Sequence, residues 1–225
     1  MRIFILVSGM AVSVMLSAQT PKQLYISNDD HTDYLWAGNE SQYKEAFIKM
    51  LDYYIEQSDK TAALPSPYQS RFNCDGSYWL WQYEKYKSPA DFLKLISKVR
   101  SGHISFPYNT LVSTYGANNV EGTLRGMYYA GYLERKYQLD LDQAIAMEDQ
   151  TLPLGLSSLW AGSGAKYSWK GVCACASKMT DLKKRSNEIY WYRGLDSSAV
   201  LMKWYSLAPD GNKQLGGYSE ARDPA

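Results

Sequence analysis

Leu24-Tyr25-Ile26-Ser27-Asn28-Asp29-Asp30-His31-Thr32-Asp33-Tyr34-Leu35-Trp36 runs from a short apolar segment into acids, a histidine and an aromatic ring. Residues 41–57 follow, with Tyr43, Phe47, Met50, Leu51, Tyr54 and Ile55 at helical spacing. An extended segment of residues 23–28, a polar loop and an amphipathic helix make one β/α unit. His31 and Asp33, two residues apart at a strand end, point the same way and can grip one metal ion. Trp36, three residues further on, can floor a sugar pocket. A second reading of the same residues has His31 bonded to a loop carbonyl, Asp33 capping the following helix and Trp36 in the core.

Beyond this unit the alternation continues. Residues 70–73 read as a second strand leading into a helix at 77–86, and residues 89–101 as an amphipathic helix ended by Gly102. A third strand at 104–106 passes through the loop 107–119 into a helix over 120–137. Residues 144–147 form a fourth strand with Glu148 and Asp149 at its carboxyl end. A helix at 156–164 and strands at 165–169, 189–192 and 200–204 complete the series. This order predicts an α/β fold with a parallel sheet in one domain, residues 19–225. In such folds ligands sit at the carboxyl ends of strands. His31, Asp33, Asp75, Glu148, Asp149, Arg193 and Asp196 all follow predicted strands.

Residues 1–18 read as a secretory signal peptide: Arg2, an apolar stretch over 3–16, then Leu16-Ser17-Ala18 before Gln19. The expected location is periplasmic or extracellular, with no membrane span after the signal. A net charge of +1 with interspersed signs argues against nucleic acid as a partner. Twenty tyrosines and seven tryptophans against five phenylalanines favour rings with one packed side and one polar edge. That composition suits a Tyr-rich core and a carbohydrate-stacking surface equally. Three cysteines, Cys74, Cys173 and Cys175, cannot form a complete disulfide framework, and a structural role is expected of them. His103, between Gly102 and a strand, is also expected to be structural.

The motifs taken together resemble the catalytic domain of glycoside hydrolase family 38, the zinc-dependent α-mannosidases, over residues 23–204. His31-Thr32-Asp33-Tyr34-Leu35-Trp36 is similar to the family's His-x-Asp-x-x-Trp. Phe72-Asn73-Cys74-Asp75-Gly76-Ser77, with Trp79 and Trp81, resembles its second strand and acidic end. Residues 100–106 resemble the passage into strand three, and Glu121-Gly122-Thr123-Leu124-Arg125 with Gly131 the helix before the nucleophile strand. Tyr190-Trp191-Tyr192-Arg193 with Asp196, Val200 and Leu201 resembles the strand whose arginine and acid reach the pocket.

The resemblance implies a (β/α) barrel, seven-stranded in the family, and a retaining hydrolase of α-mannosides or related glycans, with carbohydrate as partner. It implies Zn2+ held by His31, Asp33 and the acid after strand four, with Trp36, Asp75, Arg193 and Asp196 facing the sugar. Ungapped spacing from Gly164 places Glu148 as nucleophile and metal ligand; a shift of one residue places Asp149 there. Family enzymes are much longer, and their general acid/base and last zinc-binding histidine have no counterpart here, so an incomplete barrel is expected. An incomplete barrel leaves a sheet edge open, and poor solubility follows. Two alternatives stay open: a non-catalytic carbohydrate-binding remnant, and a metal-dependent deacetylase-like barrel, which lacks its second histidine pair here.

Overall fold

The computed structural model describes residues 27–30, 32–147, 152–170 and 189–204. The signal segment, His31, Glu148, Asp149, Cys173, Cys175 and residues 205–225 lie outside the described residues.

Helix α1, Glu40–Thr61, begins where Asn39 and Gln42 form a reciprocal capping box. Glu40 in its first turn and Lys60 in its last suit the helix dipole. Its buried residues Phe47, Leu51, Ile55 and Ser58 form one stripe. Strand β1 is Phe72–Asn73, followed by α2, Tyr78–Tyr86, and α3, Pro89–Arg100. Ser88 caps α3 through the Asp91 N–H, with Pro89 at the first helical position. Gly102, at φ +73°, stops it in the left-handed conformation that a side chain would strain.

Strand β2 is Ile104–Ser105. The expected helix over 120–137 is two: α4, Val120–Arg125, and α5, Tyr128–Tyr137, broken at Gly126-Met127. Strand β3, Gln143–Met147, helix α6, Leu156–Gly162, and strands β4, Tyr167–Lys170, β5, Ile189–Arg193, and β6, Ala199–Trp204, follow.

β1 and β2 pair in parallel, and Asp29 bridges in parallel to Asn73 on their outer side. A four-stranded sheet has the order β3-β4-β6-β5. The segment after β2 joins the two: the Tyr108 N–H donates to the Gln143 carbonyl (2.8 Å), and the Ile145 N–H to Asn109 Oδ1 (2.8 Å). The described strands form a mixed arc and not a complete barrel. One expectation is corrected here: β5 runs antiparallel to β6, in a hairpin closed by the Gly194 N–H on the Ser198 carbonyl (2.8 Å). Only five residues separate Arg193 from Ala199. A parallel connection needs roughly a dozen or more residues.

Helices cover one side of the arc. Phe72 stacks on Tyr54 of α1 (4.1 Å between centroids) and tilts against Trp79 of α2, while Trp160 of α6 meets Tyr192 edge to face. The core runs from Phe47, Leu51 and Trp79 through Leu95, Ile104 and Leu133 to Trp160 and Met202. Among the described residues no helix is long and apolar enough to cross a membrane.

His103 is structural, as expected. Gln69 spends both amide hydrogens on the Ala62 and Leu64 carbonyls, so its Oε1 accepts from His103 Nε2 (3.0 Å). Nδ1 then meets the Ser101 hydroxyl (2.7 Å). Partial burial, then Arg71 and Lys98, hold the imidazole below its usual range, opposed by Asp59. The unfolded chain therefore takes up this proton first as pH falls. Stability is expected to drop as pH goes from about 6.5 down through the lower folded value. Denaturant titrations across this window should show a shallower drop for His103→Gln; equal slopes would refute the assignment.

Candidate active site at the carboxyl ends of the strands

β1 and β2 run in parallel, as do β3, β4 and β6, and the Tyr108-Asn109 segment after β2 meets Gln143 and Ile145 in the same sense, so the loops after these strands gather toward one end. Of the residues read from sequence, the structure brings Asp33, Trp36 and Asp75 to this end. Thr32 is the centre of the local network. Its N–H donates to Asp75 Oδ2 (2.7 Å), and its Oγ1 accepts from the Trp79 indole N–H (3.2 Å) and donates to Asp30 Oδ2 (3.2 Å). Thr32 and Asp75 are buried. Asp33, next in the chain, is exposed.

The second half of the loop is held by α1. The Tyr43 hydroxyl donates to the Asp33 carbonyl, which also takes the Trp36 N–H (2.9 Å), and accepts from the Ala37 N–H (3.1 Å). Tyr34 packs edge to face on Tyr43 and Tyr78 and shares a hydrogen bond with the Tyr78 hydroxyl (3.1 Å). Burial, then Tyr78, keep the Tyr34 phenol protonated well above its ordinary range. Leu35 sits at φ +68°, a left-handed conformation that costs a bulky residue about 1–2 kcal/mol. The strained turn holds Trp36 outward, with 85% of its surface exposed.

These facts bear on two parts of the second reading of the loop; its third part, the bonding of His31, lies outside the described residues. Trp36 is not a core residue, and Asp33 does not cap α1, since Asn39 does. The expectation for Asp75 shifts: its carboxylate is 0% exposed and holds main chain. Cys74 is a buried free thiol, raised by burial and then by Asp75 and Asp30, in keeping with a structural role.

Arg193 and Asp196 lie elsewhere. They follow β5, but β5 is antiparallel, so its carboxyl end coincides with the amino ends of β4 and β6. Asp196 there accepts from Ser158 Oγ (2.6 Å), the Ser198 N–H (3.0 Å) and Ser198 Oγ (2.8 Å), which hold it below the usual carboxylate range. Arg193 donates to the Ser197 carbonyl (3.4 Å). The pair is thus at the opposite end of the four-stranded sheet from the carboxyl ends of β3, β4 and β6, so the sequence position after a strand does not by itself place it with the loops there.

Among the described residues no three His, Cys, Asp or Glu side chains converge as a metal site. Three of the four expected ligands, His31, Glu148 and Asp149, lie outside those residues. Sequence reading missed Thr32, Tyr43 and Asn109. Asn109, buried, takes the Ser77 N–H on its carbonyl (2.9 Å) and the Ile145 N–H on its side chain (2.8 Å), joining the turn after β1 to the loop after β2 and the middle of β3.

No family model and no curated protein matches the sequence. Solved structures do match its fold. A protein in glycosyl hydrolase family 38 from Enterococcus faecalis superposes with a TM-score of 0.56 at 16% identity, covering 83% of this chain and 19% of its own. An alpha-mannosidase from Enterococcus faecalis gives a TM-score of 0.57 at 14% identity, over 83% of this chain and 20% of its own. The chain therefore spans about a fifth of the length of either structure, and the family 38 resemblance is met at the level of the fold.

Proposed function

We propose that this chain is the sugar-handling part of an exported, zinc-dependent glycoside hydrolase of the family 38 type, retaining in mechanism and acting on α-mannosides or a related glycan. The observation that carries the reading is the loop after the Asp29 bridge: Asp33 and Trp36 stand exposed beside the carboxyl end of β1, on a main chain held by Asp75, Trp79 and Tyr43. The donor set fits zinc, since one imidazole with two or three carboxylates is a set that ion takes. Thr32, turned inward, leaves its neighbour Asp33 on the exposed side.

His31 and Asp33, with Glu148 or Asp149, would hold the metal. Zinc bound there supplies a Lewis acid for sugar hydroxyls. Trp36 offers an open ring face for the sugar to stack on. Glu148 or Asp149 attacks the anomeric carbon. A second carboxyl roughly 5–5.5 Å away must protonate the leaving oxygen, and Asp196, at the other end of the sheet, is not placed for it. That same observation favours a second reading, a non-catalytic carbohydrate-binding domain.

Zinc analysis of the purified protein, with turnover of an aryl α-mannoside, separates these. Near-stoichiometric zinc, lost in a His31→Ala/Asp33→Ala double variant, is expected. Glu148→Gln and Asp149→Asn tested singly identify the attacking group by loss of turnover. Folded protein that binds mannoside without zinc or turnover would leave the binding reading, and absence of both would sink the two together.

A further inference from the structure

We infer that Asp75 is a positioning residue for the metal-binding pair, fixing the main chain between His31 and Asp33 through the Thr32 amide. This rests on the zinc reading above. A chelating pair at i and i+2 works only while both side chains stay on one side of the chain, and rotation of either peptide at Thr32 would part them. Thr32 is held at two points: its N–H on Asp75 Oδ2 (2.7 Å) and its Oγ1 under the Trp79 indole N–H (3.2 Å). The first is a charge-assisted bond, about twice as strong as a neutral one. Asp33 is then held on its own carbonyl by Tyr43.

The main chain that delivers Asp75 is itself pinned on both sides. The Cys74 N–H donates to the Ser105 carbonyl (2.8 Å), and the Ser77 N–H to the Asn109 carbonyl (2.9 Å). A carboxylate with 0% exposure, reaching a backbone amide from strands β1 and β2, serves the loop rather than the sugar. Outer residues that orient metal ligands typically alter affinity by roughly 10–100-fold when removed.

Chelator competition on the full chain measures zinc affinity, and amide exchange of Thr32 in zinc-free protein gives a readout independent of the metal. Asp75→Ala should weaken zinc by roughly 10–100-fold and speed Thr32 exchange. Asp75→Asn keeps an acceptor oxygen in the same volume but loses the charge assistance, so its affinity and protection should fall between those of wild type and Asp75→Ala, and it carries the test if the alanine variant unfolds. His31→Ala/Asp33→Ala should lose zinc while Thr32 stays protected. Zinc lost from folded Asp75→Asn as fully as from the double variant would make Asp75 a ligand and overturn the positioning role. Wild-type affinity in folded Asp75→Ala would overturn it equally. Wild-type protein that binds no zinc would overturn the metal reading and this role with it.

Discussion

Trp79→Ala is expected to cost about 3–5 kcal/mol, enough to leave much of the protein unfolded at 37 °C. The ring is 1% exposed, stacks on Phe47 with centroids 4.4 Å apart and tilts over Phe72 at 5.6 Å. It therefore joins α1, α2 and β1, and truncation opens a cavity that none of the three can fill without moving. The indole N–H also holds Thr32 Oγ1, so the loss reaches the loop bearing Asp33 and Trp36. Trp79→Phe separates the two effects: the packing largely remains, and losing the hydrogen bond should cost about 1 kcal/mol. Urea denaturation of the three proteins measures this. A midpoint for Trp79→Ala close to that of Trp79→Phe would show that the ring is not the keystone of this corner.

The alternation of strands and helices was legible because it rests on local signals. The apolar spacing in α1 and α3 and the glycine after α3 each act over one or two turns. The direction of β5 also had a local signal that the sequence reading passed over. Gly194-Leu195-Asp196-Ser197-Ser198 between two apolar runs is hairpin chemistry, too short for a parallel crossover. Missing it placed Arg193 and Asp196 at the wrong end of the sheet. The break at Gly126-Met127 was harder to see, since apolar spacing continues across it.

The candidate site was legible in its composition but not in its wiring. His31, Asp33 and Trp36 are near neighbours in sequence, so a motif can show them. Thr32 and Asp75 are 43 residues apart, and their contact exists only because Asn73 at the end of β1 bridges to Asp29, just before the loop. Without that contact, an acid after a strand reads as a sugar-facing group. Asn109 carried no signal at all, because an asparagine in a loop is ordinary until its partners are known.

Gly76→Ala should be nearly as damaging as the loss of Trp79, although it adds a single methyl group. A Cβ at Gly76 would lie 2.0 Å from the Thr110 carbonyl oxygen, 2.6 Å from its carbon and 2.9 Å from Leu111 Cα. All three are main-chain atoms, so no rotamer change relieves the clash. The two segments touch because the Ser77 and Tyr78 N–H groups donate to the Asn109 and Thr110 carbonyls, each at 2.9 Å. Separating them breaks both bonds and shifts Asp75, one residue away, from the Thr32 amide. Two bonds at about 0.5–1.5 kcal/mol each, with buried groups left unpaired, put the loss at several kcal/mol. Gly162→Ala is the matched control: its Cβ would meet nothing within 4 Å, and it should be neutral or stabilising by up to about 1 kcal/mol. Thermal melts should therefore lower the midpoint sharply for Gly76→Ala alone. Equal midpoints for the two variants would mean that the turn after β1 and the loop after β2 are not in backbone contact, and the positioning of Asp75 would lose its support.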